Sequence, residues 1–411
     1  MAEILFLAHR IPYPPDKGDK IRSWHMLKFL AARHRVHLGC FLDDEADRKH
    51  AGVFDDLCAS RCLVALEPRR ARVRALSGFL RAEPLTLPYY RDAALVRWIN
   101  RLCATRRIDA ALAFSSSMAP YLMIEDFARC RRMVDFVDVD SVKWLDYAAR
   151  KKPPARWLYR REGQRLFAFE RQAAGLADVA SFVSAEEARL FCRLAPEVSS
   201  RVAVLSNGVD SRYFDPSLPA GAMVEIGKSA VVFTGAMDYW PNIEGVSWFA
   251  REVWPLLRSD HPDLTFHIVG AKPAPSVRAL AELPGIYVTG AVPDVRPFLR
   301  AAQAVVCPLR IARGVQNKVL EAMAMAKPVI ASPEALTGLD LALGQEALAA
   351  SSPQDYRAAL GTVLAGGRGL EIGRRARQRI TRDFTWECAL GGFEELLLPV
   401  LAEPARSRGV V

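Results

Sequence analysis

The stretch Ala304-Val305-Val306-Cys307-Pro308-Leu309-Arg310-Ile311-Ala312-Arg313-Gly314-Val315-Gln316-Asn317-Lys318-Val319-Leu320-Glu321-Ala322-Met323-Ala324-Met325-Ala326-Lys327-Pro328-Val329-Ile330-Ala331-Ser332 reads as strand, glycine turn, short helix, proline stop and strand. Ala304–Pro308 is an apolar strand, and Gly314 allows a tight turn. Lys318–Met325 is Leu, Glu, Ala and Met with no interior Gly or Pro, which suits a helix. Pro328 stops it before the next strand, Val329-Ile330-Ala331. Gly314, Asn317, Lys318 and Glu321 then share one face of the first turns. A helix start with free N–H groups, flanked by Arg310, Arg313 and Lys318, suits a di-anion such as a diphosphate. Glu321, one turn further on, can accept hydrogen bonds from sugar hydroxyls. Phosphate and polyol held side by side point to a nucleotide-sugar.

Working outward, strands alternate with helices along the whole chain, which implies parallel sheets. Its 411 residues exceed one ordinary core, and a hydrophobic content of 51% supports two large buried sheets. Expected strands in the first half are Ile4–Ala8, Val36–Leu42, Ala110–Phe114, Met133–Val139, Val179–Val183 and Val202–Leu205, with a helical, basic region between 43 and 107. The expected divisions are a first domain over 1–210, a linker over 211–228, a second domain over 229–385, and a terminal helix over 386–411. Ligands of such folds bind at the carboxyl ends of strands. That rule selects the loop 9–22, with Gly18, Lys20 and Arg22 able to reach a phosphate. It also selects Ser115–Met118, best read as a helix cap, and the loop Asp138-Val139-Asp140-Ser141-Val142-Lys143-Trp144. Asp138 or Asp140 could orient an acceptor hydroxyl and take its proton.

Eight scattered cysteines form no CxxC and no zinc-like set, which suits thiols in a reducing cytoplasm. No window is long and apolar enough to span a bilayer, and the N-terminus has no basic n-region before its apolar run. The net charge of +10 concentrates at Arg69–Arg74, Arg81, Arg106-Arg107 and the segment from Arg150 to Arg171. The last interleaves Arg156, Arg160, Arg161 and Arg165 with Trp157, Tyr159 and Phe167. Arginine with aromatics is the composition of an interfacial helix on anionic lipid. No nucleic-acid motif accompanies the charge, so the expected partner is the anionic inner-membrane surface and not nucleic acid.

The 304–332 stretch resembles the donor-binding motif of retaining GT-B glycosyltransferases, in particular family 4. Glu321 fills the motif's second glutamate, and Arg313 stands where the first would fall. Three further stretches resemble signatures of that family: Asn207-Gly208-Val209-Asp210 with Phe214, Val179–Glu187, and Gly290-Ala291-Val292-Pro293-Asp294-Val295. The segments 135–144 and 233–242 resemble a narrower subgroup of bacterial sugar transferases associated with PEP-CTERM/exosortase exopolysaccharide systems. The resemblance implies a GT-B fold, with two Rossmann-like doubly wound domains facing a cleft, 1–210 for the acceptor and 229–385 for the donor, a terminal helix over 386–411 that crosses back to the first domain, and retaining transfer from a nucleotide-diphosphate sugar to a glycan acceptor. Together with the basic segment it implies a polyprenyl-linked acceptor and a cytoplasmic enzyme peripheral on the inner membrane. Gly18, Arg310, Arg313, Gly314, Asn317, Lys318 and Glu321 would bind donor. Retaining GT-B chemistry is usually drawn as front-face substitution, so a carboxylate base at Asp138 or Asp140 would aid catalysis without being strictly needed. No metal or other cofactor is expected. Asp138-Val139-Asp140 also matches the Asp-x-Asp of metal-dependent GT-A transferases, but a single nucleotide domain would not explain residues 200–332. Two rival readings are a UDP-sugar epimerase on the same fold and a non-catalytic sugar-binding subunit, the latter suggested by Arg313.

Overall fold

The computed structural model describes all residues except 125, 126, 128, 129, 150, 220–223, 225, 228, 313, 366 and 399–411. The chain divides into two compact units. One is Met1–Ser206 together with the chain from Leu390, and the other is Asn207–Ala389.

The first unit is built on a seven-stranded sheet: β1 (Glu3–Ala8), β2 (Arg35–Leu42), β3 (Ser60–Ala65), β4 (Ala110–Phe114), β5 (Arg131–Val137), β6 (Val179–Phe182) and β7 (Val202–Val204). Every pairing is parallel, in the order β3-β2-β1-β4-β5-β6-β7. Central strands such as β1 and β4 are unbroken apolar runs buried on both faces, as helix-covered parallel strands must be. The strand β3 was not expected from the sequence. It is an edge strand, half-exposed along its length, so it lacks the apolar run that marks its neighbours.

The second unit repeats the plan with β8 (Ala230–Thr234), β9 (Thr265–Val269), β10 (Ile286–Gly290), β11 (Ala304–Cys307), β12 (Val329–Ala331) and β13 (Leu348–Ala349), all parallel, in the order β10-β9-β8-β11-β12-β13. In each unit the strand order reverses at the first strand, between β1 and β4 and between β8 and β11. A doubly wound sheet binds ligands at the carboxyl ends of the strands that flank such a reversal.

Three segment boundaries differ from expectation. Asn207 to Phe214 belongs with the second unit, because the Val209 N–H donates to Phe384 O at 2.8 Å and Val209 bridges Thr385. Residues 211–219 of the expected linker are fastened to the same unit, with Arg377 bonded to Asp215 at 2.9 Å and to the Phe214 carbonyl at 2.8 Å. The other linker residues are partly outside the described set. The single helix expected from Trp386 is two short ones, Trp386–Ala389 and Phe393–Leu397, because Gly391-Gly392 interrupts it. The second of these packs in the first unit. Phe393 is fully buried with its ring 6.0 Å from Phe29, and Glu394 lies 3.1 Å from His34. The expected continuation over 399–411 lies outside the described residues.

Candidate functional site

In the second unit the deciding stretch folds as expected, with the helix at Asn317–Ala324. Gly314 takes φ +62° in the turn before it. The N-cap residue Gln316 supplies no side-chain cap, so the helix start is not closed off by a side-chain acceptor there. Asn317 accepts from the Asn207 amide at 3.2 Å, which ties residue 207 to the helix start. The helix end is not made by Pro328. The Lys327 N–H reaches Ala322 O at 3.0 Å and the Ala326 N–H reaches Met323 O at 2.9 Å, a Schellman pair closed by Ala326 at φ +55°. Behind it, a β-carbon on Gly373 would lie 2.1 Å from Ala326 O.

Lys318 points toward the carboxyl end of β8. Its ammonium donates to Asn242 Oδ1 at 2.6 Å and lies 4.7 Å from the centre of the Phe233 ring. Among the described residues no carboxylate comes within ion-pair distance of it. Burial lowers its pKa, with Cys307 and Glu321 opposing that shift. The loops beside it approach closely: a β-carbon on Gly270 would fall 1.7 Å from Gly235 O, and one on Gly235 would fall 3.3 Å from Lys318 Nζ. Glu321 is pushed up to about 7 by desolvation, against the pull of Lys318. A half-buried lysine, a carboxyl raised by desolvation and glycine-walled loops thus meet at the β8/β11 reversal. Arg310 stands apart, 60% exposed, with Glu244 at 3.8 Å. Arg313 lies outside the described residues.

In the first unit Gly18 opens the helix Gly18–Ala31. Lys20 and Arg22 do not serve a phosphate there. Lys20 is buried on Asp47 at 2.7 Å, and Arg22 is buried and forked onto Asp135 at 2.7 and 3.0 Å. A buried charge needs a partner, and these two consume their charge inside the fold. Asp19 is gripped by Arg10 at 2.6 Å and His9 at 3.2 Å. Burial would raise its pKa, yet its contacts with His9 and Arg10 hold it far below the ordinary range. Ser115 caps the next turn through the Ser117 N–H, the role expected for that loop.

The end of β5 is strained. Val137 has φ +66°, and the Asp138 N–H turns back to Phe136 O at 2.8 Å. Positive φ is a rare and costly state for a β-branched residue. It delivers Asp138 and Asp140 to one ammonium, Lys143, at 2.6 and 3.1 Å. Both carboxylates raise the Lys143 pKa well above its usual value, against desolvation. From beneath, Glu187 accepts the Val139 N–H at 2.7 Å, while Glu170 takes the Ser141 N–H at 3.2 Å and its hydroxyl at 2.5 Å. Burial raises Glu170 to about 8. Lys143 stood in the quoted loop without a role assigned to it. Glu170 was hidden in a segment read for its arginines.

That arginine segment is the helix Ala155–Leu176. Arg156, Trp157, Arg160 and Arg165 are exposed. Arg161 is not on the free face: its guanidinium donates to Gly78 O at 2.9 Å and to Glu83 O at 3.3 Å. Among the described residues no group of three or more His, Cys, Asp or Glu is placed to hold a metal ion, and no helix is long and apolar enough to cross a membrane.

Residues 228–365 match the family described as glycosyl transferases group 1. No curated protein matches the chain in sequence. Among solved structures it is similar to a sucrose-phosphate synthase from Thermosynechococcus elongatus, at 17% identity over 96% of this chain and 98% of that one, TM-score 0.69. It is similar to Anabaena Alr3699/HepE in complex with UDP and glucose, at 14% identity over 97% and 100%, TM-score 0.66. It is also similar to WaaG, a glycosyltransferase involved in lipopolysaccharide biosynthesis, at 15% identity over 97% and 100%, TM-score 0.66. The fold is that of the GT-B glycosyltransferases. Residues 228–365 are therefore a glycosyl transferases group 1 domain, and the chain is a glycosyltransferase.

Proposed function

We propose that this chain transfers a sugar, with retention of configuration, from a nucleoside-diphosphate donor to a lipid-linked glycan acceptor in bacterial exopolysaccharide or envelope synthesis, as in the PEP-CTERM/exosortase-associated subgroup. The observation that carries the donor half is Lys318. A half-buried ammonium bonded to a neutral amide, beside an uncapped helix start and glycine-walled loops, is arranged for an anion. Lys318 and the N–H groups of the Asn317–Ala324 helix would hold the diphosphate, with Arg310 adding long-range attraction. Glu321, whose carboxyl desolvation pushes up to about 7, would meet the ribose hydroxyls. Gly18 and Gly314 would let backbone approach the donor, and Asn317 would fix the helix start. The UDP held by the Anabaena relative supports this class of donor.

In the acceptor half, Asp138 or Asp140 would orient the attacking hydroxyl. The strain at Val137 supports that role, since it persists only where the surrounding structure enforces it. Lys143 bonds both carboxylates and fixes their orientation, and the leaving diphosphate would take much of the acceptor proton. The lipopolysaccharide role of WaaG and the basic face at 156–165 support a membrane-borne acceptor.

The test is incubation with UDP-, GDP- and ADP-sugars, with and without polyprenyl-diphosphate glycans. The expected result is acceptor-dependent release of nucleoside diphosphate and a product with the donor's anomeric configuration. Interconversion of the free nucleotide-sugar without acceptor would establish an epimerase instead. Tight donor binding with no turnover of any acceptor would establish a sugar-binding subunit.

A further inference from the structure

The helices Pro68–Ala75 and Ser77–Leu80 are joined through Leu76, itself helical at φ −60° and ψ −25°, so the backbone coils almost without break over 68–80. Ala71, Ala75 and Gly78 recur at helical spacing and are buried. Val73, Leu76 and Leu80 fall on the opposite side at 100° per residue and are 71%, 57% and 91% exposed. A surface helix ordinarily turns polar residues outward. This one turns outward an apolar ridge.

The ridge is extended by a neighbouring element. Phe79 lies parallel to Trp157, with ring centres 6.2 Å apart and planes within 3°, and Trp157 is 62% exposed. Arg161 packs on Phe79 at 4.5 Å while bonding the Gly78 and Glu83 carbonyls. Glu162 receives the Leu85 and Thr86 N–H groups at 2.7 and 2.9 Å. The two elements are thus fastened together beneath the exposed side chains, which makes one preformed surface.

Charge surrounds that surface with one sign. Arg69, Arg70, Arg72, Arg81, Arg156 and Arg160 are exposed, and neither 68–82 nor 150–161 contains an acidic residue. Glu67, just before the ridge, is paired with Arg70 at 3.0 Å. An apolar ridge with a Trp, ringed by arginine, complements the acyl boundary and phosphates of an anionic bilayer.

We propose that the 68–81 ridge and the first turns of the Ala155–Leu176 helix form a membrane-docking face. It lies in the plane of an anionic bilayer with Leu76, Leu80 and Trp157 below the headgroups and the arginines on lipid phosphate. The proposal deepens, and rests on, the reading of a lipid-linked acceptor. It differs from a purely electrostatic face in that the apolar ridge supplies a component that salt does not remove.

Sedimentation of the full chain with vesicles of phosphatidylcholine containing phosphatidylglycerol tests it. Binding is measured without donor or acceptor, so it succeeds or fails independently of the proposed reaction. The parent should bind, and pure phosphatidylcholine vesicles should capture it at least tenfold less. Leu76→Ser with Leu80→Ser should lower binding tenfold or more and abolish the part that survives high salt. Arg69→Gln with Arg72→Gln should remove mainly the salt-sensitive part. All four positions are exposed, so thermal melting and UDP-sugar binding should not change, which separates loss of docking from loss of fold. Equal vesicle binding by parent and Leu76→Ser/Leu80→Ser would overturn the proposal. So would absence of vesicle binding together with RNA capture, or with dimers in light scattering that dissociate in the serine variant. Normal vesicle binding with no turnover of any lipid-linked acceptor would leave the docking face standing and overturn the acceptor reading alone.

Discussion

Lys318 donates a 2.6 Å hydrogen bond to Asn242 and faces the Phe233 ring, so the groups that hold this half-buried ammonium at contact distance are neutral among the described residues. Neutral partners leave the charge available to an anion. A carboxylate in place of Asn242 would satisfy it permanently.

Lys318→Ala should weaken binding of a nucleotide-diphosphate sugar by about 1.5–3 kcal/mol, the range for charge-assisted hydrogen bonds. The exposed Arg310, 3.8 Å from Glu244, should cost less than about 1 kcal/mol when changed to Ala. Calorimetric titration with donor and with bare nucleoside checks both. Nucleoside affinity should be the same in all three proteins, and an equal loss of both ligands would mean that Lys318 supports the fold instead.

Asp138 and Asp140 share Lys143 but are not equivalent. Asp138 lies at the strained end of β5 and makes the shorter contact, 2.6 Å against 3.1 Å. Asp138→Asn should lower kcat by roughly 10²-fold, the lower end of general-base effects, with donor affinity unchanged. Asp140→Asn should cost about tenfold or less. Single-turnover rates at saturating donor separate the two, and the reverse ranking would assign the acceptor hydroxyl to Asp140.

Glu170 makes stability depend on pH. Burial raises its folded pKa to about 8, above the ordinary carboxyl value of 4.5, so the folded state holds the proton more tightly than the unfolded chain. Its contribution is complete below about 4.5 and is lost as pH rises through about 8. Between those limits the loss should be on the order of 2–4 kcal/mol. Glu170→Gln keeps an acceptor for the Ser141 N–H and should flatten this part of the profile. Urea unfolding at pH 5 and pH 9 measures it, and an unchanged slope in the variant would exclude Glu170 as the source.

Chelation should leave the reaction running. On the proposed site, diphosphate charge would be met by Lys318 and a helix start, so turnover after EDTA treatment should match the untreated rate within about twofold. Loss of activity restored by Mn²⁺ would assign Asp138 and Asp140 to a metal.

Ala326 holds φ +55° just past the end of the Asn317–Ala324 helix, a conformation that glycine adopts without the side-chain clash. Ala326→Gly should stabilise the protein by about 0.5–1 kcal/mol. Gly373→Ala should destabilise it by about 1–3 kcal/mol, since a β-carbon there would meet Ala326 O at 2.1 Å. Thermal melts of the two variants should move in opposite directions.

What the sequence revealed and what it hid follow one rule. The strands β1, β4, β8 and β11 are apolar on both faces and read directly from composition. The half-exposed edge strand β3 and the two-residue β13 carry too weak a pattern to stand out. Lys318, Glu321 and the two aspartates were legible because motif spacing and strand ends mark them. The partners of those residues were not. Asn242 lies 76 residues from Lys318 and Glu170 lies 29 from Ser141, and only the folded backbone brings each pair together. The same limit explains Lys20 and Arg22. Their position at a helix start suggested phosphate, while the burying partners Asp47 and Asp135 come from the short 3-10 helix Glu45–Phe54 and from within β5.

The first unit takes its last pieces from beyond the second. Phe393 and Leu397 are fully buried in it, and the Leu396 carbonyl accepts from Arg131 at 3.4 Å. On the ribosome, then, β1 to β7 emerge long before the residues that cover Phe29 and His34. At roughly 5–20 residues per second the wait amounts to about ten seconds or more. During that interval the nascent sheet carries an uncovered apolar patch, while the contiguous second unit can fold as it emerges. Order of synthesis and order of completion are therefore reversed in this chain. A fragment cut at the end of β7 keeps every strand of its sheet and still lacks the residues that cover Phe29.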